Sequence, residues 1–229
     1  MPRESHMARN FSTAAAQYLD AGTSSLFSPG GAAFSLGLWL RYPAGTPAAQ
    51  RHVICRGAGA TAIINVRMSA ARTVSVFIRA DDGTSVTLAS SESIAADTWA
   101  HICLCRENSG GGQVRAWLDG IEAGGSPAAF AASNIVANFG TESFMIGRRN
   151  GATGQDWNGD LAGLFWCNGY ALGDDDAAAL ARGASPAAVL GASLTAPPRQ
   201  RTANRRSGWS SAIQFFSHQA LICWRVHGW

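Results

Sequence analysis

The chain has 229 residues, of which 47% are hydrophobic and only 14% charged. That length and balance exclude a solvated disordered chain and suit one domain with a full core. The formal net charge of +3 hides a split: residues 1–176 hold twelve arginines and all fifteen acidic residues, a net of −3, while residues 177–229 hold six arginines and no acid. The body of the chain therefore lacks the basic field of a nucleic-acid-binding protein.

Residues 1–7 look extraneous, either a cloning-vector junction or a stretch ahead of a true start at Met7, and are set apart from the fold. Residues 9–20 read as a first strand, with Tyr18 and Leu19 packing near its end. The turn-rich SSLFSPGG then leads to FSLGLWLRYP. Here Phe34, Leu36, Leu38 and Leu40 alternate with Ser35, Gly37, Trp39 and Arg41, a period of two that marks the clearest strand in the chain. HVICRG (52–57), AIINVRMSA (62–70), TVSVFIRA (73–80) and TSVTLAS follow, with Asp81-Asp82-Gly83 as a turn. Short alternating strands with a turn about every ten residues predict an antiparallel sandwich or barrel.

Asp97 to Gly120, DTWAHICLCRENSGGGQVRAWLDG, predicts two more strands. Ile102 and Leu104 alternate with His101, Cys103 and Cys105. Val114, Ala116 and Leu118 alternate with Arg115 and Trp117. Three successive glycines break the first strand, and Asp119-Gly120 suits a type I′ turn. SFMIGRRN (143–150) and LAGLFWCNGYAL (161–172) are further strands around the polar loop GATGQDWNGD. Asp174 is placed to cap a short helix over residues 174–182, stopped by Gly183.

Several of these stretches resemble one family. W-x-H-I, a glycine-rich loop and V-R-x-W-L-D-G resemble the central hairpin of laminin-G-like, concanavalin A-like jelly-roll domains. FSLGLWL is similar to the family's F-S-(L/I)-x-x-W signature, FMIG to its (F/L)-x-I-G strand, and LAGLFW to its penultimate strand. The resemblance spans residues 9–195. It implies an all-β, antiparallel jelly-roll β-sandwich of the concanavalin A-like type, over residues 8–195, with one short helix. Residues 196–229 change character at Pro197-Pro198 and are set apart as a basic aromatic tail, divergent, disordered or frameshifted. IQFFSHQALICW is the stretch within it that could supply the family's missing terminal strand.

The resemblance implies a non-catalytic recognition module that binds carbohydrate, or a protein surface, through rim loops. It is also similar to small proteins of phage tail regions, which implies host attachment and an extracellular or virion-associated place. A structural virion or assembly role without glycan binding is the alternative. A glycan hydrolase needs two carboxylates across the scissile bond. None of Glu4, Glu92, Glu107, Glu122 and Glu142 has an acid two residues away along a strand, which counts against it. Asp81-Asp82 and Asp174 to Asp176 are read as turn and cap.

Sugar rings stack their apolar faces on exposed indoles. Trp157, in the polar loop, is the foremost ligand-contact candidate, with Arg148, Arg149 and Asn158 beside it for an anionic or hydroxyl-bearing sugar. Calcium is the ion the resemblance implies. Asp156, Asn158 and Asp160 offer oxygens at alternating positions for it, although Ala162 and Gly163 stand where relatives carry an Asp-Glu pair. His101 is read as structural. The five cysteines, Cys55, Cys103, Cys105, Cys167 and Cys223, lack C-x-x-C spacing and are read as buried apolar residues rather than a zinc site or disulfide framework. No apolar run reaches the ~18 residues a membrane span needs, and MPRESHMARN lacks a secretory signal core.

Overall fold

The computed structural model describes residues 8–12, 17–58, 61–151, 154–191, 210–216 and 219–225. Its strands are β1 (Arg9–Phe11), β2 (Leu19–Asp20), β3 (Phe34–Arg41), β4 (Arg51–Arg56), β5 (Ile63–Met68), β6 (Thr73–Arg79), β7 (Ser85–Ser93), β8 (Trp99–Glu107) and β9 (Gln113–Leu118). They continue with β10 (Ile121–Glu122), β11 (Ala128–Ala129), β12 (Phe144–Ile146), β13 (Gly159–Asn168), β14 (Ser210–Phe216) and β15 (Gln219–Arg225). Two short helices, α1 (Asp174–Ala181) and α2 (Pro186–Gly191), follow β13. No helix among the described residues is long and apolar enough to cross a membrane.

Two antiparallel sheets make a sandwich. One runs β10-β9-β8-β3-β13-β15-β14, with β1 also on β13 and β11 on β9; the other runs β2-β12-β4-β5-β6-β7. The alternation decides which residues go inside. Phe34, Leu36, Leu38 and Leu40 of β3 face Ile54, Val66, Val76 and Leu88 across the core, all buried. Phe27 stacks on Phe144 with ring centroids 4.3 Å apart, and Trp166 stacks on Phe34 at 5.1 Å. Residues 9–20 are not one strand. β1 joins the larger sheet and β2 the smaller.

The larger sheet has a second, smaller core on its outer face. Cys103, Cys105, Trp117, Phe165 and Cys167, all at the opposite parity, lie buried with Ala177 and Leu180 of α1 and Leu190 of α2. Burial pushes the Cys105 thiol up to about 12 and the Cys103 thiol higher still, so both behave as small apolar groups. Asp174 does not cap α1. Gly173 holds the N-cap place, its N–H donating to Asp176 Oδ2 at 3.0 Å, while Asp174 Oδ1 accepts from Arg115 at 2.6 Å and from Trp117 Nε1 at 2.9 Å. Asp174 therefore ties the helix to the sheet.

The turn chemistry follows the glycines. Gly110, Gly111 and Gly112 all have positive φ, and a Cβ on Gly112 would meet Phe130 O at 2.4 Å. Asp119 and Gly120 both have positive φ, as a type I′ turn requires. Two strands lie within residues 196–229: β14 pairs with β15, and β15 pairs with β13 in the register Phe165↔Cys223. That stretch therefore extends the larger sheet and is not wholly a structureless tail. The basic run Arg199 to Arg206 lies outside the described residues.

Candidate functional site

The loop singled out in the sequence is packed inward. Trp157 is fully buried, its ring edge-on to Tyr42 at 5.4 Å, and its backbone N–H donates to Gly147 O at 2.7 Å. Its indole Nε1 is buried with no hydrogen-bond partner among the described residues. The expectation that Trp157 presents a face to a sugar is corrected: no ring surface is left to stack on.

The proposed calcium ligands are also occupied. Both oxygens of Asp156 accept from Arg148, at 2.7 and 3.2 Å, and the residue is only 5% exposed. Asp160 accepts from Asn10 at 3.0 Å and from Arg41 at 2.6 Å. A cation at Asp156, Asn158 and Asp160 would have to displace two guanidinium groups, and no group of three His, Cys, Asp or Glu able to hold a metal occurs among the described residues. Asn158 is half-buried beside Trp157. Of the four predicted ligand contacts, Arg148 is thus spent on Asp156, and its ring partner is Tyr18 at 4.3 Å. Arg149 is half-exposed and forms no ion pair among the described residues.

A cleft of about 240 Å³ opens instead at the rim where the chain passes from β7 of one sheet to β8 of the other. Its floor is Ile94, Ala100, Leu118 and Ala123, and its rim carries Trp99, Ile121 and the Asp119-Gly120 turn. This volume is below the ~300–1,000 Å³ of pockets that enclose a drug-sized ligand.

The walls combine an apolar surface with hydroxyls and carboxylates. Trp99 is half-buried, and the Arg41 guanidinium sits 5.5 Å from its ring centroid, itself fixed by Asp160. Ile121 is 67% exposed. Ser91, Ser93 and Thr98 supply hydroxyls, while Glu92 is exposed with no ion pair among the described residues. Asp119 Oδ1 accepts from the His101 backbone N–H at 2.7 Å, which pins the turn to β8. Partial desolvation raises the Asp119 carboxyl, and that hydrogen bond pulls the other way. Glu122 Oε1 accepts from Arg115 and from Ser126, both at 2.8 Å, and the bond from Arg115 holds its carboxyl below the usual range.

The structure thus lines one cleft with Glu92, Asp119 and Glu122 from three different elements. Sequence spacing along single strands could not reveal that convergence. It also missed Trp99, although a signal existed: Trp99 shares the parity of His101, Cys103 and Cys105, so it faces away from the main core.

The family model described as the Concanavalin A-like lectin/glucanases superfamily, of laminin-G type, matches residues 13–177, and the chain belongs to this superfamily. Solved structures of the same fold include a native heptameric SAP-like pentraxin from Limulus polyphemus: 12% identity, 92% of this chain and 94% of that chain covered, TM-score 0.53. A CBM40 of the Ruminococcus gnavus IT-sialidase aligns with 13% identity over 76% of this chain and 96% of its own, TM-score 0.55. The same module bound to α2,3-sialyllactose aligns with 15% identity over 77% and 99%, TM-score 0.53. At such identities these likenesses establish the fold alone. No curated protein matches the chain in sequence.

Proposed function

We propose that the chain is a non-catalytic carbohydrate-recognition module whose rim cleft stacks one sugar ring on Trp99. The observation that carries this reading is Trp99 itself: a half-buried indole, held from one side by Arg41, beside the exposed carboxylates of Glu92 and of Asp119, whose Oδ1 accepts from the His101 N–H. Carboxylates accept paired sugar hydroxyls with charge-assisted bonds, and a ring's apolar face covers an indole. CBM40, a neighbour in fold, is a module seen with a glycan bound, which supports the same class of ligand here. The role proposed for this recognition is attachment, outside a cell or on a virion surface, and a rim cleft left open to solvent suits it. A protein surface is the alternative ligand, and a purely structural role the alternative function.

A second reading, glycan hydrolysis, is favoured by one feature: three carboxylates line the cleft, one raised and one lowered in acidity. Against it, Glu122 is committed to Arg115 and Ser126, and Asp119 to the His101 N–H. The test is a glycan-array screen of the full chain, with calcium and again with chelator, followed by titration of the best glycan. Saturable binding lost in a folded Trp99→Ala variant, with and without calcium alike, is the expected result. A blank array, or binding that Trp99→Ala leaves unchanged, overturns the reading. Release of reducing ends, abolished by Asp119→Asn, would make the protein a hydrolase instead.

A further inference from the structure

Trp99 stands at the end of a row of four side chains that crosses the outer face of the larger sheet. The pairings Asn10↔Asp160, Asp160↔Arg41 and Arg41↔Trp99 set one residue from each of β1, β13, β3 and β8 side by side, and residues directly opposite on neighbouring strands share a face. Each member holds the next. Asn10 Nδ2 donates to Asp160 Oδ1 at 3.0 Å, and Asp160 Oδ2 accepts from Arg41 Nε at 2.8 Å and from its Nη2 at 2.6 Å. The Arg41 guanidinium in turn lies over the Trp99 ring, 5.5 Å from its centroid.

The row adds little to the stability of the fold, because the Arg41 side chain is 42% exposed and its ion pair is screened by solvent. What it fixes is a position. A free arginine at the surface samples many rotamers; one tied through two nitrogens to a carboxylate, itself tied to Asn10, does not. The guanidinium is thereby kept over one face of the indole by a cation–π contact, which leaves the opposite face for a ligand. A platform ordered before binding loses less side-chain freedom when the ligand arrives, and affinity rises accordingly. None of Asn10, Asp160 and Arg41 lines the cleft itself, so their route to the ligand runs through Trp99.

We propose that Asn10, Asp160 and Arg41 are positioning residues of the cleft: the row holds the Trp99 indole with one face covered, and β1 and β13 thereby set the affinity for a stacked sugar. The inference rests on reading Trp99 as the sugar platform. The test uses the full chain carrying 5-fluorotryptophan, whose eight tryptophans are followed by fluorine NMR, the Trp99 resonance being the one lost in Trp99→Phe. The tightest saturable binder from the glycan array is then titrated calorimetrically into the natural chain, Arg41→Gln, Asp160→Asn, the double variant and Asn10→Ala.

Arg41→Gln and Asp160→Asn should each weaken binding roughly two- to tenfold, and the double variant no further than either alone, because both remove the same support. Asn10→Ala should weaken it less. In all of them the Trp99 resonance should shift and broaden while those of the buried Trp117 and Trp166 stay in place. Asn10 is exposed and Arg41 half-exposed, so Asn10→Ala and Arg41→Gln carry the test even if Asp160→Asn fails to fold. Natural affinity in folded Arg41→Gln and Asp160→Asn, with Trp99→Ala still abolishing binding, would strike the positioning row alone. Additive losses, or weaker binding with the Trp99 resonance unmoved, would also overturn it. Binding that Trp99→Ala leaves unchanged, or a chain that binds no glycan, would remove the cleft reading and this inference together.

Discussion

His101 makes the protein sensitive to acid by an amount the structure specifies. His101 is 2% exposed, its ring lies 5.0 Å from the Trp39 ring, and its Nδ1 is buried without a hydrogen-bond partner among the described residues. Burial pushes its pKa from the ordinary 6.5 down to about 4, with no carboxylate opposing it. The folded protein therefore holds the ring neutral across a range where the unfolded chain takes up a proton. The stability this represents is fully present above pH 6.5 and is lost as pH falls toward 4. At about 1.4 kcal/mol per pH unit the loss reaches about 3 kcal/mol, a large part of the ~5–15 kcal/mol that holds a typical domain together. The assay is urea denaturation at pH 7.0, 5.5 and 4.0 for the natural chain and for His101→Leu, which fills similar space and cannot titrate. The natural chain should lose about 3 kcal/mol more than the variant between the extremes. His52, also lowered by burial, is common to both and cancels. Parallel pH profiles for the two proteins would refute the argument.

Two further outcomes follow from packing and pairing. Gly37→Ala adds a methyl group 2.5 Å from the buried Phe165 ring and 3.0 Å from Cys103 Cβ; the larger sheet should lose about 1–3 kcal/mol, read as a lower denaturation midpoint. Arg148→Gln leaves the Asp156 carboxylate buried without its cation and should cost about 3–5 kcal/mol. Adding Asp156→Asn to that variant should restore most of the loss, a coupling that a double-mutant cycle measures.

The strands were legible because one rule, side chains alternating across a pleated sheet, assigned β3, β8 and β9 face by face without reference to tertiary structure. The same rule has no force in the loop around Trp157. There the neighbours Asp156, Asn158, Gly159 and Asp160 have the composition of a solvated loop, which reads as an exposed rim. Their polarity is consumed internally, Asp156 by Arg148 and Asp160 by Asn10 and Arg41, so the loop turns inward and takes the indole with it. Arginines from 119 positions upstream and 8 positions upstream supply those bonds, and no local pattern announces them. The split of residues 9–20 between two sheets escaped for a similar reason, since the partners of β1 and β2 lie more than a hundred residues away.

Among the described residues two indoles of the larger sheet, Trp39 and Trp99, are only half-buried, and position along β8 accounts for Trp99. Trp99, His101, Cys103 and Cys105 all point to the outer face of the larger sheet, and sequence alone gives no reason to treat them differently. The difference is one of length. β8 has nine residues and, at ~3.3 Å per residue, runs about 30 Å. α1 has eight and, at ~1.5 Å per residue, is only about 12 Å long and ~10 Å across. Laid on the sheet it covers Cys103 and Cys105, where Asp174 fastens it to Arg115 and Trp117, but it cannot reach the first residue of the strand. His101 is closed over by Trp39, while Trp99 at the end of the strand stays only half-buried. A helix longer by two turns, lying along β8, would have buried the indole and left the cleft without its aromatic wall.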